Sequence, residues 1–410
     1  MIPKSIKLRD CIVQLNTGLN PRDNFSLGEG SIKYITAKNL NKAGYIDFSS
    51  CDYIDEQAKE IIHRRSDIQL GDILFASRAP IGHCHLITED PSFYDVGESI
   101  FCIRVNKEII VPEYLCLYLS SDLFIKMASK RVTGSVIQEI RISDLLDTDV
   151  VLPDKHVQTK IAKCIGYIDK KIELNKSICS DLESMAKLLY DYWFVQLDFP
   201  DENGKPYKSS GGKMVWNEEL KREIPDGWEV KPLSAVFDIT MGSSPSGASL
   251  NENGDGIEFY QGSTDFGNIY PTKRVYTTAP VRFSKAQDVL LSVRAPVGTM
   301  NIAMNDCCIG RGLAAIHHFS TMFAWNTMLT FSAYFDIFNN NGTTFGALTS
   351  DDLKGQLSAV PPENLINKYH GTTIAIEKQI RNLSKENQQL ASLRDFLLPM
   401  LMNGQVKIKE

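Results

Sequence analysis

Two stretches of the chain carry the same long apolar stripe. In the first, residues recur in alternating steps of four and three: Ile161, Ile165, Ile168, Ile172, Asn175, Cys179, Leu182, Ala186, Leu189 and Trp193. Adding 208 to each number gives Tyr369, Thr373, Ile376, Ile380, Leu383, Asn387, Leu390, Arg394, Leu397 and Leu401, mostly apolar again and reached without a gap. This spacing puts them at the a and d positions of a heptad, and a seam sustained this long predicts a coiled coil. Each helix would span about 50 Å at 1.5 Å per residue. Alone it would expose a full apolar stripe, and the stripe of matching length is the other copy. Antiparallel pairing would give the chain a pseudo-twofold axis with one globular segment at each end. Asn175 and Asn387 are polar residues at apolar positions. They are not equivalent in the repeat, but an antiparallel pair centred near residues 177 and 385 sets them opposite each other. There they either bond each other and fix the register at some cost in stability, or each finds its own backbone or water partner.

The rest of the pattern predicts an α+β fold. Two similar mixed α/β domains would be separated by the two long helices, which form an antiparallel coiled coil in a cyclic, pseudo-twofold arrangement. The expected divisions are a first domain over 1–155, a long helix over 156–194, an exposed connector over 195–223, a second domain over 224–365, a second long helix over 366–402 and a tail over 403–410. In the first domain, short apolar or alternating runs predict strands over 32–36, 72–76, 83–88 and 100–105. Proline in the first turn and apolar residues at Leu115, Tyr118, Leu119 and Met127 predict one helix over 112–129, and a short helix follows over 143–146. The connector is rich in Pro, Gly, Ser and Lys, including Gly204-Lys-Pro206 and Ser209-Ser-Gly-Gly212.

The second globular segment replays the first. Asn16-Thr-Gly-Leu-Asn-Pro21 matches Thr240-Met-Gly-Ser-Ser-Pro245, and Gly71-Asp-Ile-Leu-Phe-Ala-Ser-Arg-Ala-Pro-Ile-Gly82 matches Gln287-Asp-Val-Leu-Leu-Ser-Val-Arg-Ala-Pro-Val-Gly298. Thr133-Gly-Ser with Ser143-Asp-Leu145 matches Asn341-Gly-Thr with Asp351-Asp-Leu353. A unit of about 200 residues is too long for a solenoid repeat. It is a duplicated domain-plus-helix. Two similar heads on a rigid rod make a ruler, and duplex DNA is the commonest long target with twofold character.

Composition narrows the setting. No apolar run approaches the roughly 20 residues of a membrane span, so no membrane partner is expected. Residues 1–10 lack the apolar core of a signal peptide. The 9 cysteines are scattered and contain no Cys-x-x-Cys pair, which argues against a disulfide framework or structural zinc and fits a reducing cytoplasm. The net charge of −6 argues against a protein that merely coats nucleic acid, without excluding local basic surfaces.

Chemistry is sparse. An adenine methyltransferase would need Asn/Asp-Pro-Pro-aromatic, but Pro361-Pro362 is followed by Glu363. A phosphate-binding loop would need Gly-Lys-Ser/Thr, but Gly211-Gly-Lys213 is followed by Met214. A loose nuclease pattern joins Pro153-Asp154 to Asp169-Lys-Lys171, with the second half on the outer face of the long helix. His83-Cys-His85 has its counterpart in Thr299-Met-Asn301, which carries no ligands, and neither Cys307-Cys308 nor His317-His318 has a ligand spacing of known type. No catalytic residue, metal or cofactor is expected.

The duplicated architecture, the Asp-x-Leu…Arg-Ala-Pro-x-Gly segment in each half and the proline-led start of each long helix resemble the specificity (S) subunits of type I restriction–modification systems. So does Phe199-Pro-Asp-Glu-Asn-Gly-Lys-Pro-Tyr-Lys-Ser-Ser-Gly-Gly-Lys213 followed by Ile224-Pro-Asp-Gly-Trp228. The N-terminus departs from the pattern, with Ile2-Pro3 but no Pro-Asp-Gly-Trp lead-in. The resemblance implies two target-recognition domains reading a bipartite double-stranded DNA site. It implies helices that set the spacer between half-sites, and no catalytic centre in this chain. It also implies assembly with two methyltransferase (modification) subunits and with restriction/translocase subunits. The helix-pairing residues would be Ile161, Ile165, Ile168, Ile172, Asn175, Leu182, Leu189, Ile376, Ile380, Leu383, Asn387, Leu390 and Leu397. The other class of function open to the sequence is a coiled-coil interaction scaffold whose duplicated heads bind ligands other than DNA.

Candidate DNA contacts follow from place and chemistry. Arg78 and Arg294 stand at the same point of the repeat. Each either reaches a phosphate or guanine edge, which its fork suits, or closes a turn by bonding local carbonyls. Lys38 and Asn39, and Ser263 and Thr264, follow corresponding strands and differ between the halves. Thr133 and Ser135, and Asn341, Thr343 and Thr344, lie in small glycine-bearing loops. Lys126, Lys130, Arg131 and Arg141 in the first half, and Lys273, Arg274, Arg282 and Lys285 in the second, are candidate phosphate contacts.

Overall fold

The computed structural model describes residues 4–22, 24–41, 44–129, 139–340, 346–406 and 408. The chain divides into two compact units: residues 1–173 with 388–410 (unit 1), and residues 174–387 (unit 2). The long helices, Lys155–Tyr190 and Glu363–Met402, each pass from one unit to the other.

Both units are built on one antiparallel four-stranded sheet. In unit 1 the strand order is Ile12–Thr17, Ile100–Val105, Ile73–Ala76 and Cys84–Leu86; in unit 2 it is Asp238–Met241, Leu313–His317, Val289–Ser292 and Met300–Ile302. The central strands are apolar on both faces. Ile73, Leu74, Phe75 and Ala76 are all fully buried, as are Val289, Leu290 and Leu291, which is why they read as continuous runs rather than alternations. A second sheet lies beside each. In unit 1 it has three strands, with Ile32–Ile35 antiparallel to Asp52–Ile54 and parallel to Tyr94–Val96; in unit 2 it has five. Unit 1 covers this sheet with the helix Glu56–Ser66, whose Ala58 and Ile62 are buried with Ile32, Tyr34 and Ile54. Each unit also pairs an early strand with the one that leads into a long helix: Lys4–Lys7 with Asp149–Leu152, and Glu229–Pro232 with Leu357–Val360.

One local expectation is corrected and a second is filled in. The single helix expected over 112–129 is two, Pro112–Leu119 and Asp122–Ser129. Ser120 and Ser121 cause the break. Their hydroxyls donate to the Cys116 and Tyr118 carbonyls at 2.8 and 2.6 Å, and Ser121 Oγ accepts from the Phe124 amide at 3.2 Å, capping the next helix. The stretch read as an exposed connector is largely exposed, and it carries structure of its own. Met214–Asn217 and Arg222–Pro225 form a hairpin. Phe199 stacks on Tyr207 at 4.6 Å between ring centroids and on Trp228 at 5.6 Å, and burial of such rings outweighs the loop composition around them.

The long helices contact each other within each unit. In unit 1, Ile161 and Ile165 share a core with Leu398, Leu401 and Met402, and Arg394 Nη1 donates to Asp169 at 3.0 Å. Asp169 therefore does not stand on an outer solvated face. In unit 2, Asn175 Nδ2 donates to Asn387 Oδ1 at 2.9 Å and to Glu386 Oε2 at 2.8 Å. The Tyr369 hydroxyl donates to the Ala186 carbonyl at 3.1 Å. Ile172, Asn175, Ile380 and Leu383 are buried, whereas Ile168, Leu182, Leu189, Ile376, Asn387, Leu390 and Leu397 are half-buried. Near the end of the second helix the buried residue is Leu398 rather than Leu397. The phase slips where Arg394 occupies the seam and Pro399 interrupts the helix hydrogen bonds.

Candidate nucleic-acid interface

Each unit presents one loop frame. A buried strand, Ile73–Ala76 or Val289–Ser292, runs out into Ser77-Arg78-Ala79-Pro80-Ile81-Gly82 or Val293-Arg294-Ala295-Pro296-Val297-Gly298. The peptide before proline is cis in both. The loop returns at Gly82 and Gly298, with φ of +89° and +90°. A Cβ there would stand 2.7 Å from Ile125 Cγ1 or 2.8 Å from Phe335 Cβ, so only glycine lets the loop lie on its helix. Backbone bonds hold the arginine. The Ser77 amide donates to Ser99 O at 2.9 Å and Ser77 O accepts from the Ile140 amide at 3.0 Å; the Val293 amide donates to Gly312 O at 2.9 Å and Val293 O accepts from the Leu348 amide at 2.9 Å. Arg78 thereby bridges to Glu139, and Arg294 to Ala347.

The side chains on this frame differ. Arg78 Nη1 donates to Glu98 Oε1 at 2.8 Å, its Nε lies 3.4 Å from Glu139 Oε2, and Asn20 Nδ2 donates to Glu98 Oε2 at 2.7 Å. The Glu98 hydrogen bond raises the Arg78 pKa. Burial pushes the Glu98 carboxyl up, but the bonds from Arg78 and Asn20 outweigh it and hold it below its usual value. In unit 2 the backbone pairing puts Arg311 in the place of Glu98 and Ala347 in that of Glu139. Ser244 replaces Asn20; its hydroxyl donates to Gln261 Oε1 at 2.8 Å and accepts from the Arg311 amide at 3.3 Å. Arg294 and Arg311 are exposed, and neither guanidinium has an ion pair among the described residues.

The other sequence candidates separate by surroundings. Asn39 is fully buried. Its Oδ1 accepts from the Thr36 amide at 2.8 Å and its Nδ2 donates to Ser50 Oγ at 3.1 Å, so it closes a turn rather than facing solvent. Lys38 is exposed, 3.8 Å from Asp52 Oδ2. Lys273 lies 2.6 Å from Glu258 Oε1. Arg274 donates to both oxygens of Asp265, at 2.7 and 3.1 Å, tying itself to the turn of Ser263 and Thr264. Arg141, Lys126, Arg282 and Lys285 are exposed. Lys130, Arg131, Thr133, Ser135, Asn341, Thr343 and Thr344 lie outside the described residues. Sequence reading passed over Glu98, Glu139 and Arg311. The signal lay in the second strand of each sheet, where the repeat offset is 213 instead of 216.

The titratable clusters are structural. His63 Nδ1 lies 3.2 Å from Asp95 Oδ2, and Ser66 Oγ donates to Asp95 Oδ1 at 2.7 Å; His317, Asp288 and Ser284 repeat the arrangement at 2.6 and 3.2 Å. In both the carboxylate is central. A nucleophile relay needs the histidine there, between serine and acid. His83 and His85 bond the Leu40 and Gly44 carbonyls, each at 2.7 Å, and fasten a loop. Among the described residues, no group of three or more His, Cys, Asp or Glu is placed to hold a metal, and no helix is long and apolar enough to cross a membrane.

The sequence model of the family described as "Type I restriction modification DNA specificity domain" matches residues 5–184 and 225–383. The chain belongs to this family. Its two DNA specificity domains each carry one Arg-Ala-Pro frame. Among its relatives in Methanocaldococcus jannaschii is one named "Putative type I restriction enzyme MjaX specificity subunit", 30% identical over 98% of this chain and 93% of the relative. Another is named "Type I restriction enzyme MjaIX specificity subunit", 27% identical over 93% of this chain and 88% of the relative. A solved structure, the S subunit of a type I restriction-modification system from M. genitalium, shares the fold with a TM-score of 0.55 at 16% identity, over 98% of this chain and 99% of that one. Membership carries a function: DNA sequence recognition as a type I specificity subunit, rather than ligand binding by unrelated duplicated heads.

Proposed function

We propose that the chain reads a bipartite double-stranded DNA target, one half-site through each specificity domain, and that it has no catalytic centre of its own. The observation that carries this reading is one backbone frame built twice with different side chains: Arg78, Glu98 and Glu139 against Arg294, Arg311 and Ala347. Two copies of one reader with different faces suit two different half-sites. The two long helices, paired antiparallel as a coiled coil about a pseudo-twofold axis, set the distance between them. The hydrogen-bonded asparagines Asn175 and Asn387 support a defined register for that pair. The helices also leave Tyr167, Leu174, Leu188 and Phe396 exposed. This is apolar surface that two modification (methyltransferase) subunits would cover, with restriction/translocase subunits joining that cytoplasmic complex.

The test is to insert one heptad into each long helix and map the methylated motif in a host that carries the variant. The expected result is a longer spacer between unchanged half-sites. Altered half-sites would overturn the assignment of spacing to the helices and reading to the domains.

A further inference from the structure

The two copies of the frame differ in charge. In unit 1, Arg78 is held by Glu98 and Glu139, and Arg22 stands close enough to help keep Glu98 ionised. Two arginines and two glutamates cancel. In unit 2 the corresponding residues are Ser246, Arg294, Arg311 and Ala347, two cations with no acid beside them among the described residues. The Val293–Gly312 backbone bond sets Arg294 opposite Arg311. Like charges left adjacent and unpaired oppose folding slightly, so a fold that keeps them gains nothing from them in its free state. Each exposed guanidinium offers a planar pair of donors that fits the oxygens of a phosphate.

We propose that Arg294 and Arg311 form a backbone-phosphate site for the half-site read by unit 2, and that Glu98 and Glu139 have closed the equivalent site of unit 1. This rests on the DNA-recognition reading above and deepens it. The frame of unit 2 anchors the duplex without regard to sequence. The frame of unit 1 does not, because its arginine already has its anions. The half-sites therefore make unequal contributions to the salt dependence of binding.

The experiment uses the full chain and a random-sequence duplex, with affinity measured over a series of low salt concentrations. Each phosphate contact contributes about 0.9 to the slope of log affinity against log salt. Arg294→Gln and Arg311→Gln should each lower the slope by about 0.9, and the double variant by about twice that. Arg78→Gln should lower it by clearly less than Arg294→Gln does, because the Arg78 charge is already offset by Glu98 and Glu139. Glu98→Gln combined with Glu139→Gln frees Arg78 without removing it, and should raise the slope by about 0.9. Thermal midpoints taken on the same samples verify folding, and the glutamine pair supplies a gain that misfolding cannot imitate. Equal losses from Arg78→Gln and Arg294→Gln, or an unchanged slope in the unit 2 variants, would overturn the proposal. So would an altered methylation motif at unchanged slope in a host expressing Arg294→Gln, which assigns that arginine to a base edge. A full chain with no salt-dependent binding to duplex at any concentration tested would overturn the DNA-recognition reading itself, a distinguishable failure.

Discussion

Asp72 in unit 1 and Asp288 in unit 2 occupy one position in one fold, yet they keep different company. Each follows a residue of positive φ, Gly71 or Gln287. Each carboxylate accepts from the backbone three residues earlier, Gln69 N–H at 2.9 Å or Lys285 N–H at 2.7 Å. Across the sheet, Asp72 faces Arg104, which donates to both its oxygens at 3.0 and 2.8 Å; Asp288 faces His317, with Nδ1 at 2.6 Å. The turn requires the acid, because a buried backbone donor needs an acceptor. It does not require any particular partner across the sheet. What the comparison teaches is a division. At this position the group that satisfies backbone recurs in both units, whereas the group that satisfies its side chain is free to differ.

The largest test of that division lies in the long helices. Ile161 and Tyr369 are equivalent positions, and both are buried. Tyr369 sits among Tyr190, Trp193, Phe194 and Phe323, with ring centroids 5.2 to 6.4 Å away. Tyr369→Ala should cost about 4 kcal/mol and Ile161→Ala about 3, measured by denaturant unfolding followed separately for each unit by hydrogen exchange. Equal costs would show that the aromatic surroundings add nothing to burial.

A pH titration sharpens the contrast next. His318 is packed against Phe237, Phe319 and Phe323, and burial lowers its pKa to about 4. The residue in its place in unit 1 is Val105. The folded pKa lies below the unfolded value of about 6.5, so the stabilisation is present above pH 6.5 and lost as pH falls toward 4, on the order of 3 kcal/mol. Hydrogen exchange should show unit 2 loosening over that window. His318→Val should remove this loss from unit 2.

The smallest effect concerns the polar links between the helices. Asn175→Ala removes both bonds it donates to the half-buried Glu386 and Asn387 and should cost about 1.5 kcal/mol. Asp169→Ala removes a largely buried ion pair but leaves Arg394 its second anion, Asp395, and should cost about 1. A cost for Asp169→Ala well above that of Asn175→Ala would reverse the ranking.

The duplication was legible because the helix seams and the Arg-Ala-Pro segments keep their spacing, and two separate matches to one family model repeat it. The helix Glu56–Ser66 was not legible. Its buried apolar residues are only Ala58 and Ile62, and no helix at the corresponding place among the described residues of the second half flags it. The hairpin at 214–225 was hidden by the composition around it. Its support comes from Phe199, Tyr207 and Trp228, residues far apart in sequence that meet only in the folded chain. Glu98 and Arg311 escaped because an altered offset conceals that they are equivalent, while Asn39 looked available because the Ser50 hydroxyl that accepts from its Nδ2 lies in a later turn.

The frame around Arg78 and Arg294 is held by backbone bonds and by one glycine apiece, so its exposed side chains are not part of what folds it. Substitutions at surface positions of this kind cost within about 0.5 kcal/mol. Side chains at these candidate contacts can therefore change at little thermodynamic cost, whereas a Cβ at Gly82 or Gly298 cannot be added without displacing the helix beneath it.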